Sequence, residues 1–180
     1  MVNIKDMTKL QQDILAEMSR KSGKELNQRR LAKLLGVSEP AIMKSLPRLS
    51  EAELIRTYQD PESRRWSISL NTGNRKVKPL KRVYNLQQIY ETGLYEELER
   101  IFPGTTIILF GSYSRGEDTI DSDIDIAIVD SKSRDVNLAE YESKLERTIN
   151  ISFFTSWKKI DKHLKENLCN GIILQGGVEL

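Results

Sequence analysis

The sequence predicts an α+β protein made of two small domains, a mainly helical N-terminal domain and a second domain with a small mixed sheet flanked by helices. Apolar residues recur at helical spacing through the first fifty residues, whereas short apolar strands alternate with helices after residue 105. Charge divides along the same line. Residues 1–82 carry 18 Lys and Arg against 9 Asp and Glu, while residues 83–180 carry 10 against 17. Unless this segregation is chance, the basic half suits a polyanion and the acidic half a divalent cation.

The composition indicates a protein outside the membrane. Hydrophobic residues make up 38% and charged residues 30% of the chain. No apolar run approaches the roughly 20 residues that span a bilayer, and the N-terminus lacks the pattern of a signal peptide. The single cysteine, Cys169, cannot form an intramolecular disulfide, and with one His in the chain a zinc site is not expected. We therefore expect a reduced, cytoplasmic protein.

Helical periodicity predicts two helices, Met7–Ser19 and Gln28–Leu35, and a third that begins after Ser38. Gly23 is predicted to cap the first helix at its C-terminus. Asn27 and Gly36 bound the second as N-cap and C-terminal stop. In the third, Pro47 removes a helical hydrogen bond and is expected to kink or shorten the helix.

Two strands, Leu54–Tyr58 and Trp66–Leu70, are predicted around the polar turn Asp60–Arg65. Three helices followed by a hairpin tipped with two arginines, together with the stretch Arg30–Ser38, resemble the winged helix-turn-helix family over roughly residues 5–72. That resemblance implies DNA binding with the third helix in the major groove, and a protein-interaction role is the alternative. Ile42, Leu46 and Leu49 are expected to pack inward. The outward face of the third helix, which would meet DNA, is expected to carry Ala41, Lys44, Ser45 and Arg48. Arg64 and Arg65 in the hairpin turn are expected to reach the adjacent DNA backbone or minor groove.

Residues 73–82 are polar, basic and free of periodicity, which predicts a linker. The second domain is then expected over residues 83–180. Its opening element is predicted as one long helix ending before Pro103, with a single apolar face formed by Val83, Leu86, Tyr90, Leu94, Leu98 and Ile101.

The chemistry-bearing residues follow a predicted buried strand, Thr106–Phe110. The next strand, Asp121–Val129, alternates acidic with aliphatic side chains. Because side chains two residues apart on a strand share a face, Asp123 and Asp125 are expected to point together. Adjacent carboxylates repel unless a cation lies between them, and hard oxygen ligands favour Mg²⁺ or Mn²⁺.

The turn between these strands adds a phosphate-binding element. Gly111 and Ser112 allow backbone N–H groups and a hydroxyl to approach phosphate oxygens. Arg115 can neutralise the same phosphates. A phosphate-binding turn, a cation and paired acids are together the parts of metal-assisted phosphoryl transfer.

Gly111-Ser112, Arg115-Gly116-Glu117 and Ser122-Asp123-x-Asp125 resemble the minimal nucleotidyltransferases of the DNA polymerase β superfamily, over about residues 85–180. The resemblance implies transfer of a nucleoside monophosphate from a nucleoside triphosphate (NTP) to a hydroxyl. It makes the acid pair the catalytic metal ligands, and Gly111, Ser112 and Arg115 the nucleotide-binding residues. The family usually has a third carboxylate on a later strand.

In the predicted strand Ile149–Phe154 the third-carboxylate position falls on Asn150, or on Ser152 if the register shifts. Neither side chain can ionise, which bears on turnover rather than on metal or nucleotide binding. Farther along, an apolar helical stripe is predicted from Trp157, Ile160, Leu164 and Leu168. His163 lies off that stripe at the surface, Cys169 ends the helix, and Ile172–Leu174 adds an edge strand.

Two functions are consistent with these patterns. The leading hypothesis is a Mg²⁺-dependent nucleotidyltransferase with a DNA-binding regulatory head. The resemblance makes a protein hydroxyl one candidate acceptor, because stand-alone members of the minimal family often act as antitoxins that adenylylate a partner toxin. The alternative is a transcriptional regulator whose catalytically silent domain senses nucleotide. The sequence leaves open the acceptor, the preferred base, the DNA site and whether the chain forms a homodimer.

Overall fold

The computed structural model describes residues 6–178, and the chain divides into two compact units, Met1–Lys81 and Arg82–Leu180. Each unit has its own apolar core. Among the described residues, none of the helices combines the length and apolarity needed to cross a membrane.

The first helix, α1 (Lys9–Arg20), begins at a capping box. The hydroxyl of Thr8 accepts a bond from the Gln11 backbone N–H at 3.3 Å, and the Gln11 side chain accepts one from the Thr8 N–H at 3.0 Å. At the other end Lys21 is the C-cap, so the prediction of Gly23 was wrong. Gly23 instead adopts a φ of 88° in the turn that follows.

Helix α2 (Gln28–Leu35) has the bounds that its flanking residues predicted. Asn27 Oδ1 accepts a bond from the Arg30 N–H at 2.8 Å, and Gly36 ends the helix in the left-handed conformation. The next helix, α3 (Glu39–Glu51), begins at Ser38, whose hydroxyl accepts from the Ala41 N–H at 3.3 Å.

Helix α3 continues through Pro47, so the prediction that this proline shortens the helix was wrong. Pro47 lies on the exposed side of the helix, where water can replace the lost hydrogen bond. The opposite face, with Ile42, Leu46 and Leu49, is buried in the core as predicted.

Three strands complete the first unit: β1 (Leu26–Asn27), β2 (Ile55–Gln59) and β3 (Trp66–Leu70). They form an antiparallel sheet in the order β1-β3-β2. The two-residue strand β1 was not predicted, because so short a segment has no alternation to detect. Helix, strand, two helices and a hairpin is the element order of a winged helix-turn-helix, which confirms the predicted fold of this unit.

The predicted linker and the predicted long helix are both corrected by the structure. Helix α4 (Val77–Glu91) begins inside the expected linker, because Val77 is a buried member of the first core. A second helix, α5 (Leu94–Ile101), follows a break at Gly93, whose φ is 82°. The expected single apolar face is also wrong at Val83 and Tyr90, which are 67% and 41% exposed.

The sheet of the second unit contains β4 (Thr106–Phe110), β5 (Ile124–Val129), β6 (Ile149–Phe154) and β7 (Ile172–Gln175), in the order β6-β5-β4-β7. Strands β5 and β6 are parallel and the other pairs are antiparallel, so the predicted mixed sheet is confirmed. The helices α6 (Gly111–Arg115), α7 (Ala139–Leu145) and α8 (Lys162–Cys169) connect these strands. Strand β5 begins at Ile124 rather than at Asp121.

The apolar stripe predicted near the C-terminus is buried but does not belong to one helix. Trp157 lies in a short 3-10 turn, and α8 begins only at Lys162. His163 is exposed and Cys169 is the exposed last residue of α8, as expected.

Candidate functional site

The site forms where β4 ends and α6 begins. Phe110 is paired across the sheet with Asp125, so the next residue, Gly111, lies directly against the Asp125 carboxylate. A Cβ on Gly111 would overlap the carboxylate oxygen and lie 3.1 Å from its Cγ. The φ of Gly111 is 72°, which also favours glycine. The Gly-Ser turn and the acidic strand are therefore adjacent in space as well as in sequence.

Local hydrogen bonds hold the turn that carries Gly111 and Ser112. The Ser114 hydroxyl donates to the Gly111 carbonyl at 2.9 Å, and the Glu117 N–H donates to the Ser112 carbonyl at 3.0 Å. Gly116 closes the turn in the left-handed conformation. Gly111 and Ser112 themselves stay half-buried, within reach of a ligand that approaches from solvent.

Asp123 and Asp125 lie on one side of the chain, because Ile124 and Ile126 between and after them are fully buried. Asp125 is half-buried and Asp123 is exposed. Burial, followed by the negative charge of Asp123, raises the pKa of Asp125, against the opposing effects of the Asn150 hydrogen bond and the Arg115 charge. The surroundings of Asp125 therefore disfavour its ionised form on balance.

Asn150 lies beside this pair. The parallel register of β5 and β6 places Asn150 opposite Asp125 and Ser152 opposite Ala127. The Asn150 Nδ2 donates to Asp123 Oδ2 at 3.0 Å. Of the two positions left open by the sequence, Asn150 is the one that contacts the acids.

The donor set fits one small hard cation. Within residues 6–178, no group of three or more His, Cys, Asp and Glu side chains lies together as a metal-binding cluster. Two carboxylates with an amide alongside still provide the oxygen ligands that Mg²⁺ accepts, provided that phosphates and water complete its octahedral coordination. A cation there would also oppose the two effects that raise the pKa of Asp125, which are its burial and the negative charge of Asp123.

Arg115, the last residue of α6, lies at the edge of the site. Its Nε donates to Glu117 Oε2 at 2.7 Å, and both side chains are partly exposed. This bond uses one of the five guanidinium N–H groups, so the others can serve a phosphate. Its charge is close enough to Asp125 to oppose the rise in the pKa of that carboxyl.

The sequence did not indicate a buried polar cluster behind the turn. Asn85 on α4, Asp118 and Arg147 are all nearly inaccessible to solvent. Asn85 Nδ2 donates to Asp118 Oδ1 at 2.7 Å and to the Tyr113 carbonyl at 2.9 Å. Arg147 Nη2 lies 3.8 Å from Asp118 Oδ2. Polar residues far apart in the chain have no common spacing that could reveal such a cluster.

In the first unit, the structure supports the placement of some residues expected to face DNA and corrects others. Lys44 is exposed and Arg48 half-exposed on α3. The outward placement of Ser45 was wrong, since it is only 9% exposed. Its hydroxyl donates to the Ala41 carbonyl at 2.9 Å, and its own carbonyl accepts from Gln11 Nε2 at 3.4 Å. Packing of α1 against this face of α3 buries it, and Ala41 is half-buried there as well.

The tip of the β2–β3 hairpin presents Arg64 and Arg65, which are both exposed. Arg64 has a φ of 58°, a left-handed conformation that is unfavourable for a side chain with a Cβ. The Asp60 N–H donates to the Arg65 carbonyl at 2.9 Å, and Gln59 Nε2 donates to the Arg64 carbonyl at 3.0 Å. These bonds hold both arginines at the tip despite the strain.

Residues 92–174 match the protein-family model described as "Nucleotidyltransferase domain". The matched segment contains the Gly111 turn, the acid pair and Asn150. No curated protein matches the sequence.

Among solved structures, the chain is similar to bacterial regulators. The adhesin competence repressor of Streptococcus pyogenes is 22% identical, with 55% of this chain and 70% of that chain covered at a TM-score of 0.41. The zinc-responsive MarR family member ZitR of Lactococcus lactis is 25% identical, with 57% of this chain and 67% of that chain covered at a TM-score of 0.41. MepR of S. aureus, in a complex with DNA, is 24% identical, with 53% of this chain and 79% of that chain covered at a TM-score of 0.38.

Proposed function

We propose that this chain, in which a nucleotidyltransferase domain follows a winged helix, transfers a nucleoside monophosphate from an NTP to a hydroxyl under the control of a DNA-binding head. The observation that carries the proposal is the contact between Gly111 and the Asp125 carboxylate. It brings a turn suited to phosphates and a carboxylate suited to a cation together at one point, with Asp123 alongside.

In this proposal each group has one task. The N–H groups at Gly111 and Ser112, with the Ser112 hydroxyl, bind phosphate oxygens. Asp123 and Asp125 hold Mg²⁺ or Mn²⁺. When bound, that cation polarises the α-phosphate and stabilises the leaving pyrophosphate. Arg115, held at Nε by Glu117, supplies positive charge to the same phosphates.

The acceptor hydroxyl must lose a proton during transfer. Asn150 pairs with Asp125 on the neighbouring strand. The family resemblance makes this the position of a third carboxylate that would act as the base, and an amide cannot accept that proton. We therefore propose that transfer is slow unless the acceptor or its environment removes the proton. A protein hydroxyl, such as one on a toxin partner, is the acceptor that the sequence resemblance favours.

We further propose that the first unit binds DNA. Lys44 and Arg48 on α3 would meet phosphates or base edges in the major groove, while Arg64 and Arg65 would reach the adjacent backbone or minor groove. The net charge of +9 over residues 1–82 supports this role. Binding by charge neutralisation implies an affinity that falls steeply with salt.

One observation favours a second function, that of a silent nucleotide sensor. The side-chain amide of Asn150 donates a hydrogen bond to one carboxylate oxygen of Asp123. A domain with this arrangement could bind Mg²⁺-NTP without turning it over. It would then report nucleotide to the DNA-binding unit.

One experiment separates the two functions. The full-length protein is incubated with ATP labelled at the α-phosphate, Mg²⁺ and a cell lysate, beside Asp123→Ala/Asp125→Ala and the control Asp121→Ala, an exposed acid in the preceding turn. Label transferred by the wild type and the control alone supports the transferase. Protease and nuclease digestion then classify the acceptor.

Calorimetry with Mg²⁺-ATP on the same proteins completes the test. Binding by the wild type without transfer, lost in the double variant, supports the sensor. Equal binding by the wild type and the double variant would rule out the acid pair as the nucleotide site.

A further inference from the structure

Three segments of the second unit meet at the buried carboxylate of Asp118. Asn85 reaches it from α4 at 2.7 Å, and Arg147 reaches it from the segment before β6 at 3.8 Å. The same Asn85 amide also holds the Tyr113 carbonyl in α6 at 2.9 Å. We call Asn85, Asp118 and Arg147 the Asp118 cluster.

Each segment tied to the cluster leads directly to a part of the site. Tyr113 lies in α6, the helix that begins at Gly111. Asp118 belongs to the loop that runs from α6 to Asp123. Arg147 precedes Thr148, whose carbonyl accepts a bond from the Ile124 N–H at 2.9 Å, and Asn150 follows two residues later.

We propose that the Asp118 cluster positions the phosphate-binding turn relative to the acid pair, so that Asn85, Asp118 and Arg147 are positioning residues for nucleotide binding. This inference rests on the proposed nucleotide site. None of the three touches the site itself. They act through the Tyr113 carbonyl, through the loop to Asp123, and through the strand that carries Asn150.

The chemistry of the cluster favours positioning over bulk stability. A buried ion pair often contributes no more to stability than well-packed apolar residues of similar volume, and in some proteins its main effect is to favour one arrangement of the segments that carry it. The Asn85 amide fixes the Tyr113 carbonyl relative to the Asp118 carboxylate, because a single nitrogen donates to both. Burial, and after it the charge of Asp118, raises the pKa of the Tyr113 phenol, which is consistent with the cluster lying against α6.

Two variants test the proposal, one by removing both members of the ion pair and the other by removing the amide bonds alone. Asp118→Leu/Arg147→Met replaces both charges by apolar groups together. Asn85→Ala keeps the ion pair but removes both amide bonds, and keeps the test available if the double variant does not fold. The control is Thr106→Val, which loses a buried hydroxyl bond to the Gly177 carbonyl at the opposite end of β4.

Two measurements are made on the full-length proteins well below their melting temperatures. Hydrogen exchange of the backbone amides of residues 111–116, without nucleotide, should accelerate roughly tenfold in the cluster variants and stay unchanged in Thr106→Val. The Kd for Mg²⁺-ATP should rise by on the order of tenfold or more in the cluster variants only. Thr106→Val should melt at a lower temperature yet bind like the wild type.

The inference is overturned if exchange at residues 111–116 is unchanged in the cluster variants, or if Thr106→Val changes it equally. A wild type that binds no Mg²⁺-ATP would instead refute the proposed function. The exchange measurement still decides the positioning role in that case, because it needs no nucleotide.

Discussion

The side-chain amide of Asn150 donates a 3.0 Å hydrogen bond to Oδ2 of Asp123. A neutral amide therefore lies at the position where the family resemblance leads us to expect a base, and it donates a hydrogen bond to one member of the acid pair. The parallel pairing of Asn150 with Asp125 keeps the amide in that place. We therefore expect the balance between nucleotide binding and turnover to depend on the Asn150 side chain.

Asn150→Asp should convert the site toward turnover. A carboxylate there can act as a general base, and a positioned base is worth about 10²–10⁴-fold in rate. The third negative charge should lower the melting temperature of the metal-free protein and enlarge the stabilisation by Mg²⁺. Labelled-nucleotide transfer and melting with and without Mg²⁺ measure both effects.

Ser152→Asp is the matched control for this prediction. Ser152 shares the face of Asn150 but lies about 6–7 Å farther along β6, opposite Ala127. It should raise neither transfer nor the stabilisation by Mg²⁺. Equal gains from both variants would mean that proximity to Asp123 is not what matters.

Gly111→Ala should abolish nucleotide binding. The added Cβ would overlap the Asp125 carboxylate, so the turn or the acid must move. Gly104→Ala is the control, since Gly104 has a φ of 75° but nothing within 4 Å of an added Cβ. Both variants should lose about 1 kcal/mol of unfolding free energy from the left-handed conformation. Only Gly111→Ala should lose Mg²⁺-ATP binding by calorimetry, and retained binding would contradict the contact.

Asp125→Asn should stabilise the metal-free protein at neutral pH. The folded-state pKa of Asp125 lies above its ordinary value of 3.8, so folding disfavours its charged form. Stability in the wild type should therefore fall as the pH rises from 3.8 through the raised pKa, and the advantage of the variant should vanish at lower pH. Thermal melts across pH without metal measure this difference. With Mg²⁺ present the order should reverse, whereas an Asp121→Asn variant should keep the stabilisation that Mg²⁺ gives the wild type.

Arg64→Gly should separate the stability of the β2–β3 hairpin from DNA binding. Glycine removes the cost of the left-handed φ of 58° and should add about 1 kcal/mol of unfolding free energy. The lost charge should weaken DNA binding and reduce the salt slope by about 1. Arg64→Gln should weaken binding similarly without the gain in stability. Anisotropy at several salt concentrations and melting provide the data, and unchanged affinity in both variants would exclude Arg64 from the interface.

Ser45→Ala should leave DNA binding unchanged. The hydroxyl is buried and bonded to the Ala41 carbonyl, so it cannot reach DNA while α1 packs against α3. Lys44→Ala, one residue away on the exposed side, should weaken binding in the same anisotropy assay. A loss of affinity in Ser45→Ala that matches the loss in Lys44→Ala would mean that this face of α3 opens on binding.

Features controlled by neighbouring residues were predictable from the sequence. The Asn27 cap and the Gly36 stop bound α2 as expected, because capping involves atoms only a few residues apart. Strands β4 and β6 have their predicted bounds. The shared side of Asp123 and Asp125 also follows from the two-residue repeat of an extended chain.

Other features depend on residues that are distant in the chain, and only the tertiary structure decided them. Ser45 is buried because α1 packs against its face of α3, and Val77 belongs to a helix because the first core covers it. Asn150, rather than Ser152, meets the acids because β5 and β6 pair in one register. The Asp118 cluster joins residues up to 62 positions apart, from Asn85 to Arg147. Periodicity and capping reflect contacts within about one helical turn, whereas strand register and burial are determined by packing between segments that the linear pattern does not relate.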